Sequence, residues 1–260
     1  MKIGVFDSGL GGLAITRAII DRLPEYDYIY LGDTKRVPYG NRSQETIHDF
    51  TAEALNFLFA ADCQIVILAC NTASAEALRK TQQEYLPAKY PSRRILGVII
   101  PTVEAVAASG AQNVAVLATQ STVDSRAYWY EFERQSPATA VTNRPAPLLV
   151  PLIENDGLRY IDPVLGDYLQ GLDAETLVLG CTHYSLIKDL VREKWKGSVF
   201  SQDEIVPDKL ANYLKRHPEH ESLLEKSGRY EFNVTDLTPG YQKLATQMFG
   251  SELVLRKVET

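Results

Sequence analysis

The sequence predicts an α/β protein built of two similar parallel-sheet domains with a site in the cleft between them. Three observations carry that expectation. Short β-rich runs alternate with amphipathic helical stretches along most of the chain. Several early runs recur later at one constant shift, which carries Ile3 onto Val114. A cysteine follows the same recurrent strand in each half, Cys70 in one and Cys181 in the other.

Taken in order, Lys2–Phe6 is an apolar run closed by Asp7-Ser8-Gly9, and Tyr28–Leu31 is an aromatic and β-branched run closed by Gly32-Asp33. Ser43–Ala60 reads as a helix, because Ile47, Phe50, Ala54, Leu55 and Leu58 recur at helical spacing behind Ser43 as N-cap. Ile65–Ala69 is the third strand, Ala73–Tyr85 a second helix, and Ile95–Ile100 the fourth strand. A second set follows at Asn113–Leu117, Thr139–Thr142, Thr176–Leu179 and Ser198–Phe200. Ile3–Ser8 falls on Val114–Thr119, Tyr28–Tyr30 on Thr139–Val141, and Val66–Thr72 on Leu177–His183. The common shift reads as an internal duplication, with joins near Pro101 and Pro207. From about Asp208 the chain holds two helical patterns and two short strands, Arg229–Val234 and Glu252–Arg256. That is too little for a third core, so it is expected to complete the first domain. The expected domains are residues 1–97 with 208–260, and residues 98–207.

A chain that is 45% hydrophobic and 23% charged is globular, which excludes disorder, collagen and coiled coil. Lys and Arg number 27 against 33 Asp and Glu, a net charge of −6, so no direct nucleic-acid partner is expected. No apolar run approaches the roughly 18 residues that span a bilayer. Met1–Phe6 meets Asp7 too soon to form the apolar centre of a signal peptide. Three cysteines make no disulfide framework, which points to a reduced, cytoplasmic setting away from membranes.

Cys70 and Cys181 each stand between the carboxyl end of a buried strand and a helix, the position where open α/β sheets bind ligands. Free N–H groups and the helix dipole are expected there to lower a thiol pKa from about 8.5 and to hold a carboxylate. Donors follow directly: Asn71-Thr72 after one cysteine, Thr182-His183 after the other. Cys63 lies ahead of its strand without polar company and reads as a small core side chain. If the duplicated domains face each other, the two thiols flank one cleft. Opposed thiols suit taking a proton from one face of a carbon and delivering another to the opposite face, while donors steady the developing carbanion.

Other residues carry an ordinary reading beside the functional one. Asp7 suits a helix cap, and Pro38-Tyr39-Gly40 suits a turn. The glycines of Gly9–Gly12 match no phosphate loop and are expected to let the backbone approach a substrate. His183, beside a cysteine, is an acid–base candidate. His48, His217 and His220 lie in surface-like contexts and receive no role.

The runs Asp7-Ser8-Gly9-Leu10-Gly11-Gly12, Gly32-Asp33 with Pro38-Tyr39-Gly40, Cys70-Asn71-Thr72-Ala73-Ser74-Ala75 and Leu179-Gly180-Cys181-Thr182-His183-Tyr184 together resemble glutamate racemase. These are cofactor-independent amino-acid racemases with two catalytic cysteines. The resemblance extends over the whole chain, through Pro151-Leu152-Ile153-Glu154 and the late Thr235-Asp236. It implies that Cys70 acts on D-glutamate and Cys181 on L-glutamate, with Asp7 near the first thiol and His183 near the second, partnered by Glu154. It implies a substrate-binding set of Asp7, Ser8, Pro38, Tyr39, Gly40, Asn71, Thr72, Thr119, Thr122, Thr182 and His183, with the pair Thr119 and Thr122 on the substrate carboxylates. It further implies no metal, no pyridoxal phosphate, a homodimer, and supply of D-glutamate for peptidoglycan. Some members of that family inhibit DNA gyrase; no residue of this sequence points toward or away from that partner.

The sequence departs from the family at Ile99-Ile100-Pro101-Thr102. It also lacks the expected Asp-Ser pair within Phe200-Ser201-Gln202-Asp203-Glu204, and both stretches read as lying outside the chemical motifs. The N-terminal extension that carries an activator site in some relatives is expected to be absent. Two alternatives stand beside this reading. An aspartate racemase would share the thiol pair, and parallel assays separate the two. A zinc protein using Cys70, Cys181 and His183 would lack any Cys-x-x-Cys spacing, and metal analysis tests it.

Overall fold

The computed structural model describes residues 1–260 and contains two wholly parallel sheets. The first half supplies β1 (Lys2–Asp7), β2 (Tyr28–Gly32), β3 (Cys63–Leu68) and β4 (Arg94–Gly97). The second supplies β5 (Asn113–Ala118), β6 (Ala140–Pro145), β7 (Thr176–Gly180) and β8 (Ser198–Phe200). Late in the chain come β9 (Tyr230–Val234) and β10 (Leu255–Lys257). The strand orders are β10-β9-β2-β1-β3-β4 and β6-β5-β7-β8. The smaller sheet thus repeats the β2-β1-β3-β4 order of the larger, and β9 and β10 extend the larger beyond β2.

Register makes the repeat sharper and corrects one part of it. Ile3 pairs with Ile65, and Val114 with Thr176, so the shift read from the sequence holds for β1 and β3 against β5 and β7. Ile3 also pairs with Tyr28, whereas Val114 pairs with Val141. Tyr28 therefore matches Val141 rather than Thr139. The slip is two residues, one full pleat, so every side chain keeps its face.

Both faces of each sheet are apolar, as parallel sheets require. Ile3, Val5, Ile65 and Ile67 share one buried cluster with Ala115, Leu117, Leu177 and Leu179. Leu13, Ile15 and Ile19 of the helix Gly12–Arg22 and Val206, Leu210 and Leu214 of the helix Gln202–Arg216 belong to the same cluster. The alternate residues face outward, each sheet to its own helices. Phe6, Val66 and Leu68 pack with Ile47, Leu55 and Leu58 of the helix Gln44–Ala60. Val114, Val116 and Val178 pack with Val103, Val106, Tyr128 and Phe132.

Ser43 caps the helix Gln44–Ala60, its Oγ accepting from the Thr46 N–H at 3.3 Å. The next helical stretch starts earlier than the sequence suggests, at Asn71. It runs through Asn71–Glu76, Leu78–Lys80, a π-helical turn Thr81–Tyr85, and Leu86–Lys89. The fourth strand stops at Gly97 rather than Ile100, and Ile99–Ala108 is helical. Ile99, Val103 and Val106 recur at helical spacing against Tyr128 and Phe132, a pattern that a short apolar run conceals. Pro101 and Pro207 lie inside the helices Ile99–Ala108 and Gln202–Arg216, so the chain passes between sheets through helices instead of loops. Cys63 is the first residue of β3, fully buried as expected. His220 is buried, contrary to expectation, with its ring against the Gln64 amide at 3.2 Å. No helix is long and apolar enough to cross a membrane.

Candidate active site

The carboxyl ends of the equivalent strands converge. Ser8 follows β1, Cys70 follows β3, Thr119 follows β5 and Cys181 follows β7. One cavity of about 20 Å³ lies between them, lined by Ser8, Cys70, Asn71, Thr72, Thr119, Cys181, Thr182 and His183. Pro38, Tyr39 and Gly40 close one side with Val37, and Val150 completes the lining. Asp7, Thr122 and Glu154 do not line it; each stands directly behind a residue that does.

The two sulfurs have different company. Cys70 Sγ donates to Ser8 Oγ at 3.2 Å and accepts from the Ala73 N–H at 3.4 Å. Burial, with the Asp7 carboxylate adding to it, pushes the Cys70 thiol up to about 12. The helix N-terminus acts in the expected, lowering direction through the Ala73 N–H, but burial outweighs it. The helix Asn71–Glu76 is short, and one weak amide contact does not offset removal from water. Cys181 Sγ instead lies 3.8 Å from His183 Nδ1, and His183 Nε2 meets Glu154 Oε1 at 2.5 Å. Burial acts to lower the His183 pKa, but the bonds to Cys181 and Glu154 outweigh it and hold the imidazole well above 6.5. His183 is thus an imidazolium between a sulfur and a carboxylate. Glu154 Oε2 is buried and has no hydrogen-bond partner in the protein.

Asp7 links the halves. Its Oδ2 accepts from the Gly9 N–H at 3.1 Å, and its Oδ1 accepts from Thr182 Oγ1 at 3.2 Å. Burial raises its pKa against the pull of His183. The neighbouring glycines serve contact across the cleft more than approach to a ligand. A Cβ on Gly11 would lie 2.5 Å from Thr182 Oγ1 and 2.7 Å from the His183 backbone nitrogen, and one on Gly9 would lie 2.9 Å from Glu154 Oε1.

The hydroxyls of Thr72, Thr119 and Thr122 form a triangle, with oxygen separations of 2.9, 3.3 and 2.9 Å. Thr119 also caps the helix Gln120–Asp124. Tyr39 is buried, and its OH donates to Asp33 Oδ2 at 2.5 Å, where Arg36 Nε also donates at 2.6 Å. Thr235 Oγ1 donates to Asp33 Oδ1 at 2.7 Å. Asp33 and Thr235, sequence motifs without a stated role, therefore anchor Tyr39. The stretch read as lying outside the chemical motifs does touch one: Gln202 bonds the side chain of Asn71. No pattern in the sequence marked that contact.

Residues 3–201 match the family model described as Asp/Glu/Hydantoin racemase. The chain is 35% identical to the glutamate racemase of Dinoroseobacter shibae, the alignment covering 100% of this chain and 99% of that one. It is 37% identical to the glutamate racemase of Persephonella marina over 100% of this chain and 97% of that one. Among solved structures, it is similar to the glutamate racemase of Francisella tularensis in complex with D-glutamate. The TM-score is 0.88 at 32% identity, covering 99% of this chain and 97% of the other.

Proposed function

The chain belongs to the Asp/Glu/hydantoin racemase family, and from that premise we propose that it interconverts L- and D-glutamate without a cofactor. One observation carries the proposal: two cysteine sulfurs, at the ends of equivalent strands in two halves of the chain, line a single cavity.

With L-glutamate, Cys181 as thiolate takes the α-proton and becomes a thiol. Cys70 gives its own proton to the opposite face of the carbanion and becomes a thiolate. The D-enantiomer follows the reverse course. A thiol that burial keeps protonated suits the donor in the L-to-D direction. An imidazolium beside Cys181 suits the sulfur that carries charge, with Glu154 balancing the imidazolium. The α-proton of an amino acid is weakly acidic, so the developing charge needs donors aimed at the substrate carboxylates. Ser8, Asn71, the threonine triangle, Thr182 and the turn Pro38-Tyr39-Gly40 are assigned that work, and Asp7 assists Cys70. The 20 Å³ cavity has room for about one water, so glutamate enters when the two halves part.

The proposal includes a cytoplasmic homodimer supplying D-glutamate for peptidoglycan, with domains at residues 1–97 with 208–260 and at 98–207. The pairing of β9 with β2 supports that division. Circular dichroism of L-glutamate with purified protein, reductant and no cofactor tests the reaction. Loss of optical signal is expected, with none from L-aspartate; an unchanged signal from L-glutamate overturns the reading. Sedimentation velocity tests the dimer.

A further inference from the structure

Behind the cavity, three side chains from distant parts of the chain make a closed polar cluster. Asn71 follows Cys70, Tyr128 lies in the helix Ala127–Gln135, and Gln202 opens the helix Gln202–Arg216. All three are buried, Asn71 at 2%, Tyr128 at 1% and Gln202 at 1% exposure, so their polar atoms must satisfy one another. They do so with four hydrogen bonds. Asn71 Nδ2 donates to Gln202 Oε1 at 3.0 Å, and Gln202 Nε2 donates back to Asn71 Oδ1 at 2.8 Å. Gln202 Nε2 also donates to the Tyr128 OH at 2.9 Å, and that OH donates to Asn71 Oδ1 at 2.7 Å.

In this network Asn71 turns its Oδ1 toward Gln202 and Tyr128. Its Oδ1 accepts twice, which fills both lone pairs, and one Nδ2 hydrogen is taken by Gln202. What remains is the second Nδ2 hydrogen, and Asn71 is the member of the cluster that lines the cavity. We infer that Gln202 and Tyr128 are positioning residues that hold the Asn71 amide in place at the cavity wall, with one Nδ2 hydrogen left for a substrate carboxylate. The inference rests on the assignment of Asn71 as a substrate contact. It gives a role to Gln202, in a stretch that departs from the family pattern.

A double-mutant cycle tests it, with KM and kcat for both enantiomers measured on Asn71→Ala, Gln202→Ala and the pair combined. Each single change is expected to raise KM roughly tenfold, the worth of one net hydrogen bond, and to alter kcat less. The double variant is expected to be no worse than Asn71→Ala alone, because Gln202 acts only through Asn71. Tyr128→Phe keeps the ring packing and is expected to raise KM about threefold, which guards against a Gln202→Ala chain that fails to fold. A purely structural role would lower Tm and leave KM unmoved, and that result overturns the inference. So do additive effects in the double variant, or an Asn71→Ala variant with normal KM. Absence of turnover in the wild-type chain overturns the functional reading itself, so the two failures are distinct.

Discussion

Cys70 and Cys181 occupy matching strand ends, yet one sulfur is paired with a serine hydroxyl and the other with an imidazolium. L- and D-glutamate have equal free energy, so kcat/KM must be the same in both directions. The asymmetry can show only in kcat and KM taken singly. Replacing either cysteine by serine should abolish racemisation, since a hydroxyl is too weak an acid to stand in for the thiol. In heavy water each variant should still exchange the α-proton of the enantiomer facing its remaining thiol. Near-normal turnover in both serine variants would sink the two-thiol scheme. The pH profile carries a second expectation. The bond and charge of Glu154 help hold His183 charged, so Glu154→Gln should move the alkaline fall of L-glutamate turnover to lower pH. Asp7 gives a third. Its folded pKa lies above its ordinary 3.8, so its contribution to stability is fully present below that value and is lost as pH rises through the folded pKa. Asp7→Asn should therefore raise Tm at pH 7 while lowering turnover, and the gain should vanish as pH falls toward 4. An Asn variant less stable at pH 7 would refute this. The cysteines and their following donors were legible in the sequence because adjacency in the chain places them together. Gln202 was not: its partner lies 131 positions away, and only the packed helices bring them into contact.

At the scale of elements, the strand–cysteine–helix units were readable because apolar, β-branched runs ended at polar, small residues. The helix Ile99–Ala108 was not, since its first residues continue an apolar run without a break. The Gly9–Gly12 loop shows how one element holds another. At Gly11 the backbone passes so close to Thr182 and His183 that any side chain would wedge the start of the helix Gly12–Arg22 away from them. The atoms met include the His183 backbone nitrogen, which cannot swing aside. Gly11→Ala should consequently cut kcat by at least about tenfold, through displacement of the His183 ring from Cys181. Unaltered kinetics in a folded Gly11→Ala protein would show that the loop yields without disturbing the site.

Across the whole molecule, the repeated strand order means that each half contributes one thiol, and neither half lines the cavity alone. The larger sheet has a further property. β2 is paired on one side by β1 and on the other by β9, whose residues Tyr230–Val234 are among the last of the chain. Synthesis runs from the N-terminus, so the smaller sheet, complete at Phe200, has all its strands before the larger one does. Until Tyr230–Val234 leaves the ribosome, the Tyr28–Gly32 edge stands open, an aromatic and β-branched ribbon of the kind that pairs with stray chains. Chains halted at Glu225 should show slow amide exchange across β5 and β7 and fast exchange in β2. Equal protection in both sheets would contradict that order. On this account the nascent chain depends on chaperones for the interval between Phe200 and Tyr230, and a premature stop within that interval yields an aggregating product.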